Sequence, residues 1–329
     1  MLKEERLAAR VIKRYKLRPP VDVKTLLEKY ATVYFRHIPI NNVDGISVDI
    51  KIPGKQPKVI VNADQPNTRM NFTMAHELGH VLIPWHMGTM ADSLKYSAII
   101  HPDLLHEWGY KEQEGEANRF ASELLMPREW VWKQESEIKN LSDLHKKIAD
   151  TCQVSMMASS FRMLDILNQR AIMCLCDSDA NVITSGRTQS CYAYPPGRGD
   201  KVRKNQFTEA ETYIRLAHSE NQVYHWWGFT NNQKLEANLS GKEWRELLKQ
   251  ILKETVAKEN LDATKRALSG IIGSANSSLK KRGNYNQASL VSAIRQRLDG
   301  DEIGKLMEHP LFSEFLVARV AEMVKRNSV

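Results

Sequence analysis

The stretch FTMAHELGHVL at residues 72–82 constrains this chain more than any other segment. Residues four apart lie on one face of a helix, so His76 and His80 can aim two imidazole nitrogens at one ion while Glu77 flanks it. This is the HExxH arrangement. The pattern also arises by accident in a few chains per hundred of this length, so its surroundings have to decide. Phe72, Ala75, Leu78 and Leu82 put the histidines beside a core, where two metal-free rings would each need a hydrogen-bond partner and one shared cation is the simpler account. Zinc held by three protein ligands keeps a fourth position for water and lowers that water's pKa to roughly 7, and Glu77 is placed to take the proton. The expectation is a Zn2+ cofactor on His76 and His80, with Glu77 catalytic.

A third ligand is required, and two candidates exist. His86 follows His80 at the spacing of the HExxHxxGxxH motif, but Ile83 replaces that motif's glycine and Pro84 comes directly after it. The other candidate is a carboxylate on the helix expected at 112–125. At about 100° per residue, Ala117, Ala121 and Leu125 fall near the direction of Glu114, while Glu112, Glu116, Arg119 and Glu123 cluster opposite. Glu114 is therefore favoured over His86, and the other three glutamates are expected to be solvated. Asn118, one turn beyond Glu114, is placed to hydrogen-bond a ligand.

Around these helices the hydrophobic period changes several times. KEERLAARVIKRY reads as a helix, and Asp22 as the N-cap of a second one. TVYFRHI, GISVDIKI and PKVIVNA are short β-branched runs separated by turn signals, hence three strands. The PKVIVNA strand could offer an edge on which a peptide adds as a further strand. Residues 86–110 look irregular; His101, His106 and Tyr110 in that stretch are candidates to stabilise a tetrahedral oxyanion. LSDLHKKIADTCQVSMMASSFRMLDI at 141–166 has the outline of a helix-turn-helix. Beyond it, RAIMCLCDSDANVITSGRTQSCYAYPP reads as a hairpin and QVYHWWGF as a further strand. From Gly241 onward the chain is helical, punctuated by Gly270, Gly273 and Gly283.

Two motifs in this order, Arg69 with FTMAHELGHVL and then EGEANRFASELLMP at 114–127, resemble the ImmA/IrrE-type metallopeptidases. The likeness covers roughly residues 18–168, including the helix-turn-helix-like segment. It implies that His76, His80 and Glu114 are zinc ligands and Glu77 the general base. It also implies a protein substrate, a helix-turn-helix repressor cut to release stress-response, mobile-element or phage-defence genes. The fold class expected is α+β. It comprises a zincin-like domain over 1–140 (small sheet, HExxH helix and glutamate helix), a helix-turn-helix-like extension at 141–168, a β-containing segment at 169–240 and a helical region at 241–329.

Composition excludes little further. No apolar run approaches the ~20 residues that span a bilayer, and the N-terminus lacks a signal peptide's apolar middle, so no membrane role and a cytoplasmic location are expected. Four scattered cysteines do not form a disulfide framework; Cys174, Cys176 and Cys191 could be ligands of a structural zinc, though buried strand cysteines are the simpler reading. The net charge of +8 permits nucleic-acid contact. The alternative function is therefore a DNA-binding regulator with a structural or vestigial metal site. It is not favoured, because SMMASSFRMLDI offers only Arg162 to a phosphate or base. A third possibility is partner or nucleic-acid binding through Lys280, Lys281 and Arg282 near the C-terminal glycines.

Overall fold

The computed structural model describes residues 1–40, 43–91, 107–191, 193–203, 206–207, 210–219, 221–229, 241–281, 287–298 and 302–327. The chain divides into two compact units, Met1–Leu167 and Asn168–Val329. Both mix helices with a four-stranded sheet, so the class is α+β.

In the first unit, α1 (Lys3–Tyr15) and α2 (Val23–Leu27) precede β1 (Thr32–Arg36), β2 (Gly45–Ile50) and β3 (Lys58–Asn62). Asp22 caps α2 by accepting the Thr25 N–H at 3.0 Å. The sheet order is β1-β3-β2-β4, with β1 parallel to β3 and the other pairs antiparallel. The fourth strand, β4 (Gly88–Ala91), lies inside the stretch expected to be irregular. Its pairing with β2 makes β1 and β4 the edges and β3 an inner strand, so the idea that PKVIVNA offers a substrate edge is overturned. Strand alternation reveals which face is buried but not the lateral order of strands.

After β3, α3 (Asn67–Leu82) carries the HExxH residues, and every residue from Thr73 to Val81 is buried. It is covered by the sheet on one side and by α4 (Glu107–Leu125) on another. Pro84 follows directly and prevents the helix from continuing. Close approach of the two helices depends on Gly79, where a Cβ would stand 3.2 Å from both Ala117 Cα and Phe120 Cδ1. Three more helices complete the unit: α5 (Arg128–Glu137), α6 (Leu141–Cys152) and α7 (Met156–Ile166). Asn140 caps α6 through the Ser142 and Asp143 N–H groups, and Ser155 caps α7 through Ala158 N–H at 3.1 Å.

The face of α4 expected to be solvated is largely covered. Glu123 is buried and paired with Arg162 of α7, and Arg119 pairs with Glu4 of α1. Glu116 is held by Trp85 and His86, and of the three glutamates only Glu112 is exposed. A helical wheel gives directions around one helix but not the number of neighbours that cover it.

The second unit has a fully antiparallel sheet of order β6-β5-β8-β7, formed by β5 (Arg170–Cys176), β6 (Val182–Arg187), β7 (Thr212–Ser219) and β8 (Gln222–Phe229). Cys174, Cys176 and Cys191 are buried in its apolar cluster with Trp227 and Phe229, and burial raises all three thiol pKa values. They behave as small hydrophobes, and among the described residues no metal-binding group includes them. Four helices follow: α8 (Trp244–Thr255), α9 (Leu261–Lys281), α10 (Gln287–Leu298) and α11 (Phe312–Asn327). Gly270 and Gly273 lie inside α9 with open space around them, so they neither punctuate it nor mark a close helix contact. Gly283, Arg282 and the side chain of Lys281 lie outside the described residues. Among the described residues no helix is long and apolar enough to cross a membrane.

Candidate metal centre

Two adjacent turns of α3 and one turn of α4 bring three donor groups together. His76 Nε2 and His80 Nε2 are 3.0 Å apart. The Glu114 carboxylate lies 3.2 Å from His76 Nε2 and 3.3 Å from His80 Nε2. Among the described residues this trio is the one group of histidine, cysteine and acidic side chains close enough to hold a cation. A tetrahedral site with bonds of ~2.0–2.1 Å has ligand atoms about 3.3 Å apart, so the spacing fits zinc. The donor chemistry fits as well. Asn118 Oδ1 accepts the His76 Nδ1–H at 2.9 Å, which leaves the lone pair of His76 on Nε2, directed at the other two donors.

The electrostatics follow from burial. Burial lowers the His80 pKa to about 4 against the raising influence of Glu114, so this ring is neutral. Burial alone would raise the Glu114 pKa, but its close contacts with His76 and His80 outweigh it and hold the carboxyl below its usual range. A neutral ring and an ionised carboxylate are the forms in which these side chains bind metals.

Glu77 also meets β2 of the sheet. It is fully buried, and Ser47 Oγ of β2 donates to its Oε2. A Cβ at Gly45 would meet Glu77 Oε1 at 2.5 Å, so only glycine gives that carboxylate its room. Neither Ser47 nor Gly45 is signalled by the sequence, because both reach the helix from a strand some thirty residues earlier.

His86 sits beside the trio without joining it. Its Nδ1 is 2.8 Å from His80 Nδ1 and its Nε2 is 2.8 Å from Glu116 Oε2. Lys51 Nζ donates to the main-chain oxygens of His80 (3.1 Å) and His86 (2.7 Å). Burial lowers the Lys51 pKa to about 8. His101 and His106 lie outside the described residues, as does the side chain of Tyr110.

A cleft of about 580 Å³ opens on His76, Glu114 and Asn118. Phe72 of α3 and Met157 and Phe161 of α7 supply apolar wall, with Arg69 and Asp44 also on the lining. Met157 and Phe161 are exposed, 40% and 45%. Arg162, the residue on α7 that could have met DNA, is turned inward, bonded to Glu123, to Met126 O and to Asp165.

Residues 28–164 match the model of a peptidase family described as the IrrE N-terminal-like domain. The match lies inside the first unit and spans both helices of the candidate centre, and this segment belongs to the ImmA/IrrE-type family. No curated protein matches the chain. A solved structure described as a Mycobacterium tuberculosis transcriptional regulator is similar over 70% of this chain and 77% of its own, at 14% identity and a TM-score of 0.43. A likeness that low carries no functional argument.

Proposed function

We propose that the protein is a zinc-dependent endopeptidase acting on a regulatory protein. The observation that carries this is the convergence of His76, His80 and Glu114 at the spacing of a tetrahedral metal site, beside a cleft that reaches two of them. The resemblance to the ImmA/IrrE-type peptidases and the family match over residues 28–164 support the same reading.

In this reading His76, His80 and Glu114 hold zinc, which when bound polarises the scissile carbonyl and lowers the pKa of water. Glu77 accepts the proton of the attacking water and delivers it to the leaving amine. Ser47 fixes the orientation of the Glu77 carboxylate, and Gly45 leaves it space. Asn118 holds the His76 ring. Phe72, Met157 and Phe161 give an apolar side chain of the substrate a place to bury beside the scissile bond. The second helix of the helix-turn-helix-like pair, α7, thus serves as a cleft wall rather than a DNA reader. The substrate class that the resemblance suggests is a helix-turn-helix repressor, with consequences for stress response, mobile-element control or phage defence.

Purified protein mixed with a candidate repressor should give one discrete fragment, abolished by a chelator. Glu77→Gln should keep zinc and slow the cut by ~10²–10⁴-fold. An unchanged rate in that variant refutes the mechanism. The DNA-binding alternative predicts salt-dependent retention of duplex DNA, and flat binding across salt excludes it.

A further inference from the structure

We infer that Glu116 and His86 form a positioning relay that fixes which nitrogen of His80 faces the metal. The inference rests on the reading of His80 as a ligand, and it concerns residues outside the ligand set.

The relay follows from counting protons along a chain of contacts. The Glu116 Oε2 atom serves as acceptor, so His86 donates from Nε2 across the 2.8 Å contact. Trp85 Nε1–H donates to the same oxygen at 2.6 Å and anchors it. A neutral His86 then carries a lone pair on Nδ1. That atom lies 2.8 Å from His80 Nδ1, and a hydrogen bond there requires one proton between the two nitrogens. The proton therefore sits on His80 Nδ1. The remaining lone pair of His80 is on Nε2, the atom 3.0 Å from His76 Nε2 and 3.3 Å from Glu114 Oε1.

The same counting removes His86 from the ligand set. Its two ring nitrogens are engaged by His80 and Glu116, and the ring is fully buried between them. Lys51 fixes the turn that brings the ring there, through its bonds to the main-chain oxygens of His80 and His86. His76 has a simpler partner for the same purpose in Asn118. Each imidazole is thus oriented from behind by a different device, a side-chain amide for one and a histidine–carboxylate pair for the other.

The test uses the full-length chain stripped of metal, with nitrogen chemical shifts of the histidine rings reporting which nitrogen is protonated. In the wild type His80 and His76 should carry their protons on Nδ1 and His86 on Nε2. Glu116→Leu, which removes the acceptor, should let His86 move its proton to Nδ1 and so populate the Nε2–H form of His80. Zinc affinity, measured against a chromophoric chelator, should fall ~10–100-fold. Glu116→Gln keeps an acceptor oxygen and should restore most of both properties, while His76 stays Nδ1–H throughout. A wild-type His80 protonated on Nε2 overturns the relay, as does a folded Glu116→Leu protein with His80 and zinc affinity unchanged. If Glu116→Leu does not fold, the wild-type spectrum decides alone. Neither readout uses a substrate, so a failed cleavage assay and a failed relay are separate results.

Discussion

Gly79 of α3 faces Ala117 of α4 with no room for a side chain: a Cβ on the glycine would lie 3.2 Å from the Ala117 Cα. His80 is the next residue on one helix and Glu114 lies one turn earlier on the other, so this contact sets the distance between two of the three donors. Gly79→Val should force the helices apart, costing about 1–3 kcal/mol and weakening zinc binding at least about tenfold. Gly79→Ala should fall nearer wild type, because its helix propensity, worth about 1 kcal/mol, offsets part of the crowding. Thermal unfolding and chelator competition on both variants check this.

The buried pair of Arg162 and Glu123 gives a second prediction. Arg162 is 3% exposed, so Glu123→Leu leaves a guanidinium without its main counter-charge and should cost ~3–5 kcal/mol. The double variant Glu123→Leu, Arg162→Leu should be markedly more stable than the sum of the single losses. Additive losses in a denaturation cycle would contradict the coupling.

Ser47 holds the carboxylate that the proposed chemistry needs. Ser47→Ala should leave zinc content unchanged and lower the cleavage rate by about 10- to 100-fold, the effect of a misplaced general base. Metal analysis beside a rate measurement separates this from loss of the ion.

Met157 and Phe161 are exposed on the cleft wall, so replacing both by alanine should change stability by no more than about 0.5 kcal/mol per site. If they seat the substrate, KM rises while kcat changes little. Unaltered kinetics in the double variant would remove α7 from recognition.

Legibility of the site in the sequence follows the range of each signal. The i, i+4 spacing of His76 and His80 and the helical phase of Glu114 and Asn118 are local, and the structure brings those four side chains together. Glu116 and Glu123 lie on the face of the same helix expected to meet water, yet α1, α7 and the Trp85–His86 turn cover it. Phase around one helix cannot report how many neighbours pack on it. Gly45, Ser47 and Lys51 reach α3 and the turn after it from β2 and its exit, and no periodicity links them to the motif. The inner position of β3 was equally hidden, because alternation within a strand is blind to which strand lies beside it.

Anomalous diffraction at the zinc edge from crystals of the full-length protein tests the metal centre most directly. One peak is predicted, bonded at ~2.0–2.2 Å to His76 Nε2, His80 Nε2 and a Glu114 carboxylate oxygen, with His86 behind His80 and away from the ion. A zinc-loaded crystal with no peak among these residues, or with His86 bonded to the ion in place of Glu114, would contradict it.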